Sequence, residues 1–242
     1  MEMGDMSDFV VGMRRGFTSS RVERFRSTFA YDLLARIPLI TWFAVCGVAT
    51  LRNIINDFAA APAFNTAETL KLLAGIAGLG FILLVTGALC LRMRPIARAA
   101  GLRPRIIAIA GAFSVTALAL LPRSDLTPGA ALVSFVMICA GYAFACYALR
   151  HLGRSLSIMA EARRLVTTGP YAFIRHPLYA GEALASLGLL TQYLSPMAVL
   201  LWIIHISLQY RRLRYEENVL SQAFPDYGAY AGRVARLIPG VY

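Results

Sequence analysis

Residues Leu178 to Tyr210 read LYAGEALASLGLLTQYLSPMAVLLWIIHISLQY, thirty-three positions dominated by apolar side chains. As a single helix this stretch would be ~50 Å long, well beyond a hydrocarbon core of about 30 Å. Ser195-Pro196 interrupts it with an N-cap residue followed by a proline that suits the first helical turn. The stretch is therefore expected as two short helices, Leu178 to Tyr193 and Pro196 to Tyr210, forming a hairpin. Each would be ~21–24 Å long, so either can tilt or stop inside a bilayer.

The rest of the chain repeats the pattern at greater length. Apolar spans are expected at about Leu33 to Leu51, Leu70 to Leu91, Ile106 to Leu121, and from Thr127-Pro128 to near Leu149. Asn65-Thr66-Ala67-Glu68 has the capping-box pattern, and Pro104 suits a helix start. Ser20-Arg21-Val22-Glu23 has the same capping pattern, followed by Phe25, Phe29 and Leu33 among arginines. That predicts a basic helix lying at a membrane interface.

Composition agrees. Of 242 residues, 58% are hydrophobic and 15% charged, against a usual charged share of about 25%. Such a surplus of apolar surface excludes a disordered chain, a coiled coil and an ordinary soluble domain. The expected fold is all-α: a polytopic integral membrane helical bundle of about six membrane-inserted helices, ending in the hairpin. Three regions are expected: 1–32, a cytoplasmic N-terminal segment; 33–149, a four-span membrane region; and 150–242, the hairpin with a C-terminal catalytic region. The first 36 residues hold no apolar core of signal-peptide type, so no cleaved signal is expected.

Net charge is +11. The arginines lie between apolar spans rather than on one soluble face, which argues for topology and headgroup contact over nucleic-acid binding. The segment before the first span, Arg92 to Arg105, Arg150 to Arg175, and the tail from Arg211 carry five Arg each, whereas the alternate loops offer little beyond Arg52 and Arg123. Six crossings place every rich segment on one side, so both termini are expected in the cytoplasm, at an inner or plasma membrane. Cys46, Cys90, Cys139 and Cys146 lack CxxC spacing, and His151, His176 and His205 are dispersed. Neither pattern predicts a metal site.

Polar residues collect in the last third. Pro177 puts His176 at a helix start, where free backbone N–H groups attract an anion. Tyr179, Glu182, Ser186 and Tyr193 then form one polar stripe at spacings of 3, 4 and 7. Gly181 would let a ligand approach the backbone. His205, Gln209, Arg212 and Glu216 form a matching stripe on the next helix. A hairpin could bring the two together around a polar pocket opening to the cytoplasm. An ionisable residue such as Glu182 in an apolar helix is a functional candidate by default, although such residues can also simply glue helices together.

These residues carry a family resemblance. Gly169-Pro170-Tyr171, then Arg175-His176-Pro177-x-Tyr179-x-Gly181, resembles the isoprenylcysteine carboxyl methyltransferase family of membrane methyltransferases, which has phospholipid methyltransferase relatives. Arg212-x-x-x-Glu216-Glu217-x-x-Leu220 resembles its paired-glutamate motif. Phe224-Pro225-x-Tyr227-x-x-Tyr230, with Arg236-x-Ile238-Pro239, resembles its closing segment. Leu152-Gly153-Arg154-Ser155 is similar to its upstream segment. The likeness covers about residues 150–242.

The resemblance implies methyl transfer from S-adenosylmethionine to a membrane-embedded acceptor, foremost a carboxylate on a lipid-like or isoprenylcysteine-like molecule. It implies cofactor binding by Arg175, His176, Tyr179, Gly181, Glu216 and Glu217, with Tyr171 and Tyr227 shaping the adenosyl pocket. Arg212, Glu216 and Glu182 are the candidate catalytic residues, Arg212 steering the acceptor. Partners would be a membrane lipid or lipidated small molecule and the bilayer itself, with oligomeric state open. A phospholipid headgroup amine is an alternative acceptor; it would need a base, for which His205 or Glu182 is available. NADPH-dependent sterol reductases share a similar R-H-P-x-Y-x-G segment, but follow their hairpin with Arg-Asp and a Cys. Here Glu216-Glu217 stands and no Cys follows Cys146. A non-catalytic interaction protein would leave both motifs without a use.

Overall fold

The computed structural model describes residues 29–60 and 65–240. The chain divides into two compact units, Met1–Trp42 and Phe43–Tyr242. The interfacial helix expected to start at Ser20 lies largely outside the described residues. Helix α1, Phe29–Ala60, is longer than the predicted span and contains Pro38. Helix α2, Thr66–Leu91, opens on the predicted capping box: the Glu68 N–H donates to Asn65 Oδ1 at 2.9 Å, and the Asn65 N–H to Glu68 Oε2 at 3.4 Å. Helix α3, Arg103–Phe113, departs from the continuous helix expected to Leu121. From Ser114 to Leu120 it tightens into a 3₁₀ helix. The Ser114 hydroxyl sits 2.8 Å from His205 Nδ1, a side-chain bond at the point where the winding changes.

Helix α4, Pro128–Leu152, starts at Thr127, whose hydroxyl accepts from the Ala130 N–H. Helices α5, Pro177–Thr191, and α6, Pro196–Ala223, are the two arms of the hairpin. Ser195 caps α6 by accepting from the Ala198 N–H at 3.1 Å. Helix α6 does not end at Tyr210. It continues without a break to Ala223, so the paired glutamates ride on the same rod as the apolar arm. A short helix α7, Tyr227–Arg233, follows.

Four helical stretches, Arg36–Ala59, Thr66–Leu91, Arg103–Leu120 and Pro128–Ser155, are long and apolar enough to cross a membrane. Val48, Leu83, Val133 and Ile203 project outward, exposed. Apolar side chains displayed on this scale belong against lipid, and the chain is built as an integral membrane protein.

Close approach of α4 and α5 fixes the hairpin. A Cβ on Gly141 would lie 2.5 Å from the Ala185 nitrogen, and one on Gly181 would lie 2.7 Å from the Ala145 nitrogen. Only glycine permits that separation, the usual basis for helix contact in lipid. A buried polar pair locks the same interface: Ser134 donates to the Gly188 carbonyl at 2.8 Å and accepts from Gln192 Nε2 at 3.1 Å. At the turn of the hairpin the Ser124 N–H donates to the Gln192 carbonyl, and Arg123 makes a two-pronged ion pair with Asp57 at 2.8 and 2.9 Å.

One element of the otherwise helical fold was not expected. Strand β1, Ala97–Arg98, pairs antiparallel with β2, Glu161–Ala162, in the register Ala97 to Ala162 and Arg98 to Glu161. Backbone bonds from Met93 to Arg154, Ile96 to Ala162 and Ala99 to Ala160 extend the pairing. This clip fastens the segment after α2 to the segment after α4 and so gives the latter a fixed course beside α6.

Candidate active site

A cleft lies where the start of α5, the C-terminal half of α6, the 152–166 segment and α7 converge. About 730 Å³ of space free of protein atoms, open solvent included, lies between these elements. Tyr171, Tyr179, Tyr227 and Tyr230 line it, with Arg163, Arg164, Arg175 and Arg212, the carboxylates of Glu161, Glu182 and Glu216, and the ring of His176.

The two stripes meet there. The Tyr179 hydroxyl donates to Glu216 Oε2 at 2.8 Å, joining α5 to α6. Gln209 bridges the same helices, donating to Glu182 Oε2 at 3.2 Å and accepting from Arg212 Nη1 at 3.2 Å. Farther from the cleft, Trp202 donates to the Ser186 hydroxyl at 3.1 Å, and Tyr193 is buried in an apolar cluster with Leu118, Leu190 and Ala198. His205 is turned to Ser114 and does not line the cleft.

Arg212 is held mainly by backbone carbonyls, not by Glu216. Nε donates to the Ile158 carbonyl at 2.9 Å and Nη2 to the Ser157 carbonyl at 3.3 Å, while the ring of Tyr179 lies 5.1 Å below its carbon. The clip brings those carbonyls within reach, which the sequence did not reveal. A guanidinium has five N–H groups; three are engaged, leaving two for a ligand.

Glu217 is the hub of a second cluster, set behind the cleft lining. Its carboxylate takes Arg175 Nη1 at 3.0 Å, His176 Nε2 at 3.2 Å and Arg236 Nη2 at 2.8 Å. Burial alone would raise the pKa of this carboxyl. Hydrogen bonds from His176 and Arg236 and the charges of His176 and Arg175 outweigh it and hold the pKa at about 2. Glu217 thus anchors the Arg175-His176 loop. The backbone repeats the link: the Arg175 N–H donates to the Ala235 carbonyl at 2.8 Å and the His176 N–H to the Arg236 carbonyl at 3.2 Å. Tyr230 donates to the Tyr171 carbonyl at 2.7 Å.

Burial raises the pKa of the Tyr171 and Tyr227 hydroxyls well above the ordinary tyrosine value and that of Tyr230 to about 12. They are neutral hydrogen-bonding groups at physiological pH. Gly181 departs from expectation. It faces α4, not the cleft, and its missing Cβ serves helix packing. Ser155, Glu161 and Arg163 line the cleft, but sequence reasoning did not assign them. The signals were their position in a basic segment between α4 and the R-H-P motif and, for Ser155, its place in the Leu152-Gly153-Arg154-Ser155 stretch.

A helical membrane protein with a tyrosine-, arginine- and glutamate-lined cleft at the base of its last hairpin is the class these features define. Residues 132–222 match the Isoprenylcysteine carboxyl methyltransferase (ICMT) family, so the resemblance carried by the two motifs is borne out over that stretch. Among curated relatives, the chain is 41% identical over 78 residues to the cobalt-zinc-cadmium resistance protein CzcN of Cupriavidus metallidurans, covering 31% of this chain and 35% of that protein. It is 35% identical over 82 residues to the nickel-cobalt-cadmium resistance protein NccN of Alcaligenes xylosoxydans xylosoxydans, covering 33% and 38%. It is 33% identical over 96 residues to protein-S-isoprenylcysteine O-methyltransferase B of Arabidopsis thaliana, covering 37% and 49%. The matched stretches thus span between about a third and a half of these relatives.

Proposed function

We propose that the protein is an S-adenosylmethionine-dependent methyltransferase acting on an acceptor embedded in the membrane. The observation that carries this reading is the Tyr179–Glu216 hydrogen bond, which joins the family's two motifs across the mouth of one cleft. The lining fits the donor. Neutral tyrosines suit an adenosyl group, and Glu182 and Glu216 are carboxylates with no arginine within salt-bridge distance among the described residues, suited to a sulfonium and an ammonium. Tyr171, Tyr179, Tyr227, Glu216 and Glu182 would hold it, with Arg175, His176 and Glu217 keeping the surrounding loop in place.

When bound, the donor supplies a methyl group on a positively charged sulfur. In-line methyl transfer demands alignment and exclusion of water more than acid–base power. The protein's part is accordingly positional: α5 and α6 hold Glu182, Glu216 and Arg212 in fixed register, and α7 supplies Tyr227 and Tyr230. The basic segments are assigned to the cytoplasm, with both termini there and the α5–α6 hairpin dipping into the bilayer from that side. A site at that face serves a soluble donor and a lipid acceptor together.

The leading acceptor is a carboxylate on a lipid-like molecule, by analogy with the isoprenylcysteine methyltransferase relative. It is already ionised and needs no base, and the two remaining N–H groups of Arg212 can orient it. A phospholipid headgroup amine is the second reading. It is favoured by the engagement of Arg212 with the Ser157 and Ile158 carbonyls and by Glu182 standing as a carboxylate in the same cleft. Incubating the purified protein with a lipid extract and methyl-labelled S-adenosylmethionine tests all of this. Label in a base-labile ester supports the carboxylate, and base-stable label on nitrogen the amine. Thermal stabilisation by NADPH alone, with no label transferred, would replace methyl transfer by a reductase activity.

A further inference from the structure

We infer that His151, which stands outside the cleft, is a positioning residue: its imidazole is the seat of the Gly169-Pro170-Tyr171 turn and thereby sets where Tyr171 stands in the cleft. His151 lies in the last turn of α4. Its Nδ1 is 3.1 Å from the Tyr147 carbonyl. A carbonyl only accepts, so Nδ1 carries the hydrogen, and the other side of the ring, Nε2 and Cδ2, is turned toward Gly169. The ring of Tyr147 meets the imidazole in a T-shaped contact, with centroids 4.8 Å apart. The bond and the ring contact both come from one turn earlier in the same helix, and together they hold the imidazole in place.

Gly169 rests directly on that ring. A Cβ at this position would fall into the imidazole, with even Cε1 only 2.8 Å away, and the backbone is left-handed, with φ +62°. Both facts call for glycine. Pro170 is buried and fixes the next φ, and Tyr171 follows within the same short 3₁₀ turn, Gly169–Ala172. Pro170 alone separates the seat from the tyrosine, so little slack lies between them. On its other side Tyr171 is held by α7, through the Tyr230 hydroxyl that donates to its carbonyl at 2.7 Å. Tyr171 lines the cleft, whereas His151 and Gly169 do not. Removing the imidazole would leave a void beneath Gly169, and a glycine offers the backbone freedom for the turn to sink into it. A small displacement of a cleft-lining ring is enough to spoil the fit of a ligand.

The test uses the full-length protein in one detergent and has two readouts. The first needs no ligand. With fluorotyrosine incorporated, the Tyr171 fluorine resonance is the one lost in Tyr171→Phe. His151→Ala should move or broaden it and leave the resonance of Tyr193, at the hairpin turn, in place. Gly169→Ala attacks the same contact from the other side and should do the same. The second readout is the affinity for S-adenosylhomocysteine by calorimetry, and this arm rests on the reading of the cleft as a methyl-donor site. His151→Ala should bind roughly tenfold more weakly, and the double variant with Tyr171→Ala no more weakly than Tyr171→Ala alone, because a residue that acts through Tyr171 has nothing left to position. Additive losses in the double variant would show that His151 merely supports the fold and overturn the inference. An unmoved Tyr171 resonance in His151→Ala, or unchanged affinity where the wild type binds, also overturns it. A wild type that binds no S-adenosylhomocysteine defeats the donor reading instead, and the resonance alone then decides the role of His151.

Discussion

Glu217 Oε2 lies 2.8 Å from Arg236 Nη2, an ion pair that ties α6 to a residue nineteen positions farther along the chain. Because the same carboxylate also holds Arg175 and His176, three segments converge on one side chain.

Protonating Glu217 should loosen all three. Its folded pKa of about 2 lies below the ordinary 4.5, so its contribution to stability is complete above pH 4.5 and is lost as pH falls toward 2. Thermal unfolding followed across that window should show a falling midpoint for the wild type and a flatter profile for Glu217→Gln. At neutral pH the variant should be less stable by about 1–3 kcal/mol, since the partners it leaves are buried but border solvent at the cleft. Equal acid sensitivity of the two proteins would show that the cluster does not link the segments.

Glu216 is expected to act differently, on ligand rather than on fold. Glu216→Gln keeps the shape and removes the charge, so donor affinity or turnover should drop at least tenfold, about 1.4 kcal/mol, with little change in unfolding temperature. Tyr179→Phe, which removes only the hydroxyl on Glu216, should show a smaller loss in the same direction. Full activity in Glu216→Gln alongside an inactive, normally folded Glu217→Gln would reverse the two roles.

Glycines of the α4–α5 interface should behave unlike glycines elsewhere. Gly141→Ala and Gly181→Ala drive a methyl into backbone atoms less than 3 Å away and should destabilise by about 1–3 kcal/mol. Gly80→Ala, in α2 with nothing within 4 Å, should be neutral or stabilising by up to about 1 kcal/mol. Midpoints of urea or thermal unfolding in one detergent would compare the three directly.

Membrane orientation predicts where Asp57 and Arg123 lie. Their two-pronged ion pair places them together, at the end carrying the hairpin turn. Single cysteines at 57 and 125 should react with impermeant reagents from outside intact cells and not from the cytoplasmic face. Labelling of either from the cytoplasmic face would invert the topology proposed for the whole chain.

Helix limits near the hairpin were legible because Ser195-Pro196 carries its own chemistry, a side-chain cap and a residue without an N–H. The stripes were legible because helical spacing alone puts Tyr179 with Glu182, and Arg212 with Glu216, on common faces. What helical periodicity cannot convey is which loop lies beside a helix. The partners of Arg212 are carbonyls of Ser157 and Ile158, set in place by a two-residue strand pairing too short to leave a pattern. Gly181 was misassigned to ligand approach for a related reason: its sequence neighbours form a polar motif, but its own face meets α4. The 3₁₀ winding after Phe113 was likewise invisible, since it coincides with a bond to His205, ninety-one residues away.

The backbone link from Arg175 and His176 to Ala235 and Arg236 also has a bearing on biosynthesis. The four long apolar helices precede residue 156 and can enter the bilayer while the ribosome is still translating. The cleft cannot be completed then, because its Arg175-His176 wall is fastened by Glu217 and by the backbone of residues 235 and 236. A nascent chain stalled before them would be inserted with that wall incompletely fastened, and full ligand-binding competence would arise only once residue 236 has been made.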